Sequence, residues 1–369
     1  MSDCIMTAVD VHDKNLIVED AVGRSKPRRS QYGNDRNGRR RMLSHYRRRA
    51  KAEGASRVVF AYEASSEGYG LYDDITDAGF ECHVLAPTLI PRSQRHRKSK
   101  TDARDTGVIL EVLRGHILAG NTLPDVWIPD RRTRDDREVV RSRVDAATKR
   151  ATIKAQVRFL LKRNRVRRPK EVGKSWGKAY RSWLFEVTQG KGEKLGDGGR
   201  IALWSFYRQV EMLDKEIAFL DAGIEELART PRYAEPVKAL EELDGVGTFL
   251  AMLFLTEMGD LSRFRNRRQV PCYIGIVPSS DESGEASDRK GHITHQGSWR
   301  LRKGLCQGAW ARIRTNEHAR ALRDRLVEKN PKNRKIATVA VMRHLAIRMW
   351  HVGLAAQECA GCFAEGAAA

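Results

Sequence analysis

Four carboxylates stand where they could hold a divalent metal. Asp10 closes the apolar run Cys4 to Val9, and Glu63 closes a second run, Arg57 to Tyr62 (RVVFAY). The first reads as a short apolar strand, and the second has the β-branched and aromatic make-up of a buried strand. Asp102 and Asp105 are three apart within Thr101 to Arg114, a helical pattern, so both project from one helix face. Thr101 is the expected N-cap of that helix and Gly115 its expected stop. Carboxylates from two strand ends and a helix would converge at one sheet edge. Hard oxygen donors suit Mg²⁺ or Mn²⁺, ions that activate a nucleophile and stabilise a leaving oxygen in phosphoryl transfer. Singly, each residue is better explained as an ordinary surface carboxylate. The set is what points to metal.

The second chemically suggestive stretch is 263–305. It holds a polar loop with Ser283-Gly284, then Gly291, Gly297 and a basic helix with Arg300, Arg302 and Lys303. A serine hydroxyl is a poor nucleophile unless its proton is removed or its target phosphate is activated by cations. Arg289, Lys290, Arg300 and Arg302 could supply that charge, although a solvated loop explains the bare pattern better. His292 and His295 flank the loop as acid–base or phosphate-binding groups. Cys359 and Cys362 form a lone CxxC, short of the four ligands of a structural zinc. Leu243 to Gly247 is a Gly-x-Gly turn before an apolar helix; it could present amides to phosphate, though a plain tight turn is commoner.

The elements that must position these groups fall into three parts. Residues 1–120 alternate strands (4–9, 14–22, 57–62, 80–86) with helices (68–78, 101–114), which predicts an α/β layered domain. Residues 24–51 are strongly basic, their later part helical. Residues 121–235 are charged and helical. There Phe206, Val210, Leu213, Ile217, Leu220, Ile224 and Leu227 alternate steps of four and three, an a/d seam that implies a coiled-coil, dimerising segment or a hairpin packed within one chain. The stretch 189–199 reads as the loop between two long helices, and Trp176, Trp183 and Trp204 as core. Residues 236–352 predict a small, mostly α domain, and 353–369 an Ala- and Gly-rich tail that frays.

Composition narrows the partner. The 369 residues include 68 Lys or Arg against 47 Asp or Glu, a formal charge of +21, with 41% hydrophobic residues, enough for real cores. Such charge points to a polyanion. No apolar run of about 18 residues and no secretion signal are read, and six scattered cysteines suit a reducing cytosol, so DNA is expected rather than membrane. Arg97, Lys98 and Lys100 before the 101–114 helix, with Arg289, Lys290, Arg300 and Arg302 around the serine loop, are the expected phosphate contacts. Basic clusters at 28–51, 92–104 and 162–170 add to them.

The segments VDVHDKNLIV, YEASSEGYG and KSKTDARD resemble the N-terminal domain of the DEDD insertion-sequence transposases. The 263–305 block, with Leu243 to Gly247 and with Gly259, Asp260, Arg263 and Phe264, resembles the C-terminal transposase domain of the same family. Together the matches span 4–115 and 240–350. The resemblance implies an RNase H-like (RuvC-like) domain over 1–120 that binds Mg²⁺ or Mn²⁺ through Asp10, Glu63, Asp102 and Asp105. It implies a nucleophilic Ser283 in 236–352 that forms a covalent link to DNA, completing a composite site. It further implies a structured guide RNA encoded by the element, assembly as a homodimer or tetramer in which the serine of one subunit meets the metal site of another, and a nucleoid-associated place in a prokaryotic cytoplasm. His295 departs from the family, where lysine is commoner before the glycine. The alternative is an RNase H-fold nuclease or junction resolvase that uses metal-activated water, with Ser283 a bystander. A third reading is a nucleic-acid-binding protein with no enzymatic activity.

Overall fold

The computed structural model describes residues 4–90, 102–173, 176–191, 195–280 and 290–360, with side chains for all of these except 102–105, 280, 290, 333 and 360. Arg97, Lys98, Lys100, Ser283 and Arg289 lie outside the described residues. The chain divides into two compact units, Met1–Ile128 and Pro129–Ala369.

The first unit is built on β1 (Cys4–Val11), β2 (Asn15–Val22), β3 (Arg28–Gly33), α1 (Arg36–Glu53), β4 (Arg57–Glu63), α2 (Gly70–Asp77), β5 (Glu81–Leu85) and α3 (Asp102–Ala119). The sheet order is β3-β2-β1-β4-β5. The first three strands pair antiparallel, whereas β1-β4 and β4-β5 pair parallel. β1 lies in the middle and is buried on both faces, which is why its sequence is almost wholly apolar. Met6 and Ala8 of β1 with Val59 and Ala61 of β4 pack under Ile109, Leu110 and Leu113 of α3. Ile5, Val9, Phe60 and Tyr62 pack on the other face against Met42 and Tyr46 of α1 and Leu71 and Ile75 of α2. A mixed sheet covered by helices on both faces is consistent with the expected RNase H-like domain.

Two local expectations change. The strand β3 falls inside the basic stretch read only as partly helical; it is an edge strand with no buried residue, RRSQYG. The last helix does not stop at Gly115 but runs on to Ala119, where Gly120 (φ 71°) takes the left-handed position after the helix.

The second unit is mostly helical, with α4 (Arg131–Arg163), α5 (Lys178–Thr188), α6 (Asp197–Ala228), α7 (Ala234–Glu241), α8 (Thr248–Met258), α9 (Gln269–Ile274), the short strands β6 (Pro278–Ser280) and β7 (Lys290–Ile293), α10 (Trp299–Thr315), α11 (Glu317–Lys329) and α12 (Arg334–Ala360). The helices α4 and α6 form a long antiparallel hairpin. Arg143 bonds Asp221 at 2.7 Å and Arg150 bonds Asp214 at 2.5 Å, so positions rise on one helix as they fall on the other.

The a/d seam of α6 therefore finds its partner in the same chain. Leu213 and Ile217 meet Ala146 of α4, and Ile224 meets Val140 and Val144. Of the two arrangements its spacing allowed, the seam takes the hairpin within one chain. The root of the hairpin shares one core with α8, α10 and α12 (Leu253, Leu305, Leu345). The helix α8 is buried from Leu250 to Met258, which explains its apolar sequence on every side. The far end of the hairpin has its own core, where Leu160 and Leu161 of α4 and Leu203 of α6 enclose Trp183 and Leu184 of α5. Two of the three tryptophans expected in cores are there, Trp183 buried and Trp176 half-buried, whereas Trp204 is 37% exposed and stacks on Tyr207 at 5.7 Å. The stretch 189–199 leads from α5 into α6 rather than between the two long helices.

Candidate active site

In the parallel register of β1 and β4 the last paired positions are Val9 and Tyr62. Asp10 and Glu63 are each the next residue. Side chains alternate along a strand, so matched positions on parallel neighbours point to the same face. That face is the one α3 covers, since Ala8 and Ala61, two residues earlier on each strand, pack under it. Both carboxylates sit where the strands leave the core. Both are half-buried, the Asp10 side chain being 22% exposed. The Nε2 of His12 lies 3.1 Å from Oδ2 of Asp10. His12 was not singled out from sequence; its only signal is its place two residues after Asp10, in the turn to β2.

The direction of α3 follows from two contacts. Gly107 faces Glu19, which pairs with Ala8, and Arg114 donates to the carbonyl of Ser25, beyond the far end of β2. The helix thus runs opposite to β1, and its first turn, carrying Asp102 and Asp105, begins at the edge where Asp10 and Glu63 end. The side chains of Asp102 and Asp105 are outside the described set. Among the described residues no group of three or more His, Cys, Asp or Glu is arranged to hold a metal ion. Asp10 and Glu63 supply two hard oxygen donors on one face, which suits Mg²⁺ or Mn²⁺ rather than a softer ion.

In the second unit, β6 and β7 pair antiparallel, with Pro278 opposite Ile293 and Ser280 opposite Lys290. Ser283 falls in the chain between them. The base of this hairpin is drawn tight by backbone apposition. A Cβ at Gly275 (φ 76°) would lie 2.0 Å from the carbonyl oxygen of Gln296, and one at Gly297 (φ 113°) 2.1 Å from that of Tyr273. Only glycine fits such approaches. His295 itself adopts a left-handed conformation (φ 55°), and its N–H donates to the carbonyl of Gly275.

Two of the expected phosphate contacts have structural partners. Arg300 forks onto Asp145 of α4 at 2.9 and 2.7 Å. Arg302 donates to the carbonyls of Ile274 and Gly297, both at 3.0 Å, and so clamps the two limbs of the hairpin base. Burial draws the Arg302 guanidinium below its usual range, the direction expected of a positioning group rather than a solvated one. Lys290 is the first residue of β7, its side chain outside the described set. Cys359 is free and exposed near the end of α12.

Comparison with known proteins agrees with this layout. A DEDD transposase family matches residues 8–164, and the Transposase IS116/IS110/IS902 family matches residues 237–323. The y4qE protein of Sinorhizobium fredii, which carries a provisional transposase name, is 34% identical over 326 residues, 82% of this chain and 76% of the relative. The transposase for insertion sequence element IS1533 of Leptospira borgpetersenii is 29% identical over 57% of each chain. The transposase for element IS1111A of Coxiella burnetii is 30% identical over 41% of this chain and 42% of its own. No helix among the described residues is long and apolar enough to cross a membrane. With family models matching both parts of the chain and a relative covered over three quarters of its length, the chain belongs to the IS116/IS110/IS902 family of DEDD transposases, enzymes that cleave and transfer DNA strands.

Proposed function

We propose that this transposase cuts and rejoins the DNA of an insertion sequence with a metal-holding carboxylate edge and a nucleophilic serine. Asp10, Glu63, Asp102 and Asp105 would hold Mg²⁺ or Mn²⁺ at an RNase H-like sheet edge. When bound, the ion supplies neutralisation of the scissile phosphate and of the leaving oxygen. The Ser283 hydroxyl attacks that phosphorus, gives up its proton and releases one strand end as a hydroxyl. The phosphoserine link keeps the bond energy until a second strand's hydroxyl displaces the serine and restores a phosphodiester. Arg289 and Lys290 beside the loop, with Arg97, Lys98 and Lys100 before α3, would hold the phosphate backbone. Arg300 and Arg302 hold the serine hairpin in place.

The observation that carries this reading is the shared face of Asp10 and Glu63, one residue past the last paired positions of neighbouring parallel strands, with α3 starting at the same edge. A structured guide RNA and a homodimer or tetramer belong to the same proposal. In support of the first stands the charge of +21. In support of the second stands the face of α6 turned away from α4, where Ile201, Met212 and Phe219 are 71%, 64% and 73% exposed. The deciding experiment amplifies excision junctions in cells carrying the gene with its native flanks, comparing wild type with Asp102→Ala and Ser283→Ala. A closed junction from wild type alone supports the joint use of metal and serine. Junctions that persist in Ser283→Ala would hand the nucleophile's role to water.

A further inference from the structure

At the far end of the α4–α6 hairpin the chain makes a basic hollow that the strand-transfer chemistry does not use. Its volume is about 510 Å³, within the range of pockets that take small ligands. The rim carries Arg158, Lys162, Arg165 and Arg167, all exposed. No carboxylate is among its described lining residues, and among the described residues none is paired with these four. Elsewhere in this unit Arg141, Arg143, Arg150, Arg181, Arg232 and Arg300 are each ion-paired. Four like charges held together without a counter-charge cost stability unless an anion joins them.

The floor is apolar and aromatic. Leu161, Val166, Tyr180 and Trp183 form it. Tyr180 sits 5.4 Å from Trp183 and 5.2 Å from Trp176, ring centre to ring centre, and Lys154 lies 5.0 Å over Trp176. Arg165 holds a left-handed backbone (φ 56°) just after α4 ends, a position glycine fills at less cost.

We propose that this hollow seats one unstacked base of a single-stranded nucleic acid, with the flanking phosphates on the cationic rim and the base on the Tyr180–Trp183 floor. A positively charged track beside aromatic groups is how single strands are held without sequence readout. A duplex keeps its bases stacked and presents a convex ridge of phosphates, so it would leave the floor unfilled. An inorganic phosphate would satisfy the rim alone. The proposal is independent of the strand-transfer chemistry, because none of these residues belongs to the carboxylate edge or the serine hairpin.

The test uses the full chain and fluorescence anisotropy with labelled twelve-nucleotide probes: oligo(dT), oligo(U), an abasic strand of equal charge and a duplex of equal length. The variant Arg158→Gln/Lys162→Gln/Arg165→Gln changes only exposed side chains, and an unchanged melting curve verifies its fold. Wild type is expected to bind the base-bearing strands at least five-fold more tightly than the abasic one. The variant is expected to lose ten-fold or more of that affinity, to keep duplex affinity within two-fold, and to lower the log–log salt slope on single strands by about 2, or 0.7 for each of three charges. A preference of wild type for U over dT, or the reverse, that vanishes in the variant assigns the strand type. Equal wild-type affinity for abasic and base-bearing strands, or equal losses of duplex and single-strand binding in the variant, overturns the proposal.

Discussion

Arg141 of α4 closes on Glu257 of α8 through two parallel hydrogen bonds of 2.7 and 3.1 Å. The Glu257 side chain is only 4% exposed. The hydrogen bonds that it donates to Glu257 hold the Arg141 guanidinium above its usual range. The pair ties the root of the helical hairpin to the central apolar helix. Removing one partner of a buried pair strands a charge. Arg141→Met is therefore expected to cost about 3–5 kcal/mol, read from the urea midpoint of unfolding, and Arg141→Met/Glu257→Met to recover most of it. If the double variant is no more stable than the single, the pair is not a coupled unit.

Metal binding at the sheet edge is expected to stabilise the first unit. A ligand at one hundred times its dissociation constant adds about 2.7 kcal/mol. Thermal unfolding of wild type in Mg²⁺ or Mn²⁺ is expected to shift upward, while Asp10→Asn and Glu63→Gln stay where they are without metal. A wild-type curve indifferent to both ions would remove the carboxylate edge from the chemistry.

The serine hairpin depends on backbone closeness that no side chain tolerates. Gly297→Ala places a Cβ against the Tyr273 carbonyl in a left-handed conformation, and a loss of at least about 2 kcal/mol together with loss of excision is expected. Gly247→Ala is the control. Its φ is −115° and nothing lies within 4 Å of the added carbon, so only the cost of alanine at the α8 N-cap, about 1 kcal/mol, is expected, with excision kept. Equal effects at the two positions would mean the apposition at Gly297 is relaxed in solution.

Asp145 gives the second unit an acid limb. The hydrogen bond from Arg300, working against desolvation, holds its carboxyl below the usual carboxylate range. A carboxylate whose folded value is depressed contributes stability above its unfolded value, about 3.9, and loses it as pH falls through the folded value. Stability is expected to drop below about pH 4, and Asp145→Asn to flatten that drop. The size is modest, because Asp145 is 37% exposed.

Much of the carboxylate edge is legible in the sequence, for a physical reason. A central strand is buried on both faces, so its sequence is a continuous apolar run, and the first carboxylate after it marks where the strand leaves the core. That holds for Val9–Asp10 and for Tyr62–Glu63. β3 was not readable, because an edge strand facing solvent carries no apolar alternation. His12 sits in a turn and has no period at all. The α6 seam announced a partner helix but not which one. Its choice of α4 rests on Arg143 with Asp221 and Arg150 with Asp214, pairs 78 and 64 residues apart that no local pattern records. Arg300 and Arg302 look like phosphate ligands in sequence because the Asp145 carboxylate met by the first and the carbonyls met by the second are invisible there.

One consequence of the long hairpin is metric. The serine-bearing half of the second unit is tied to α4 at Asp145 by Arg300, and at Thr148 by Lys303 at 2.7 Å. Seventeen residues of unbroken helix separate Asp145 from Lys162, a span of roughly 25 Å at 1.5 Å per residue. That is about seven base-pair rises. A helix fixes angular phase together with length. Four residues inserted into both arms of the hairpin would move its basic end by about 6 Å and turn it by roughly 40°, whereas seven would lengthen it by about 10 Å and nearly preserve its heading. α4 therefore acts as a ruler with an orientation, graduated in helical turns.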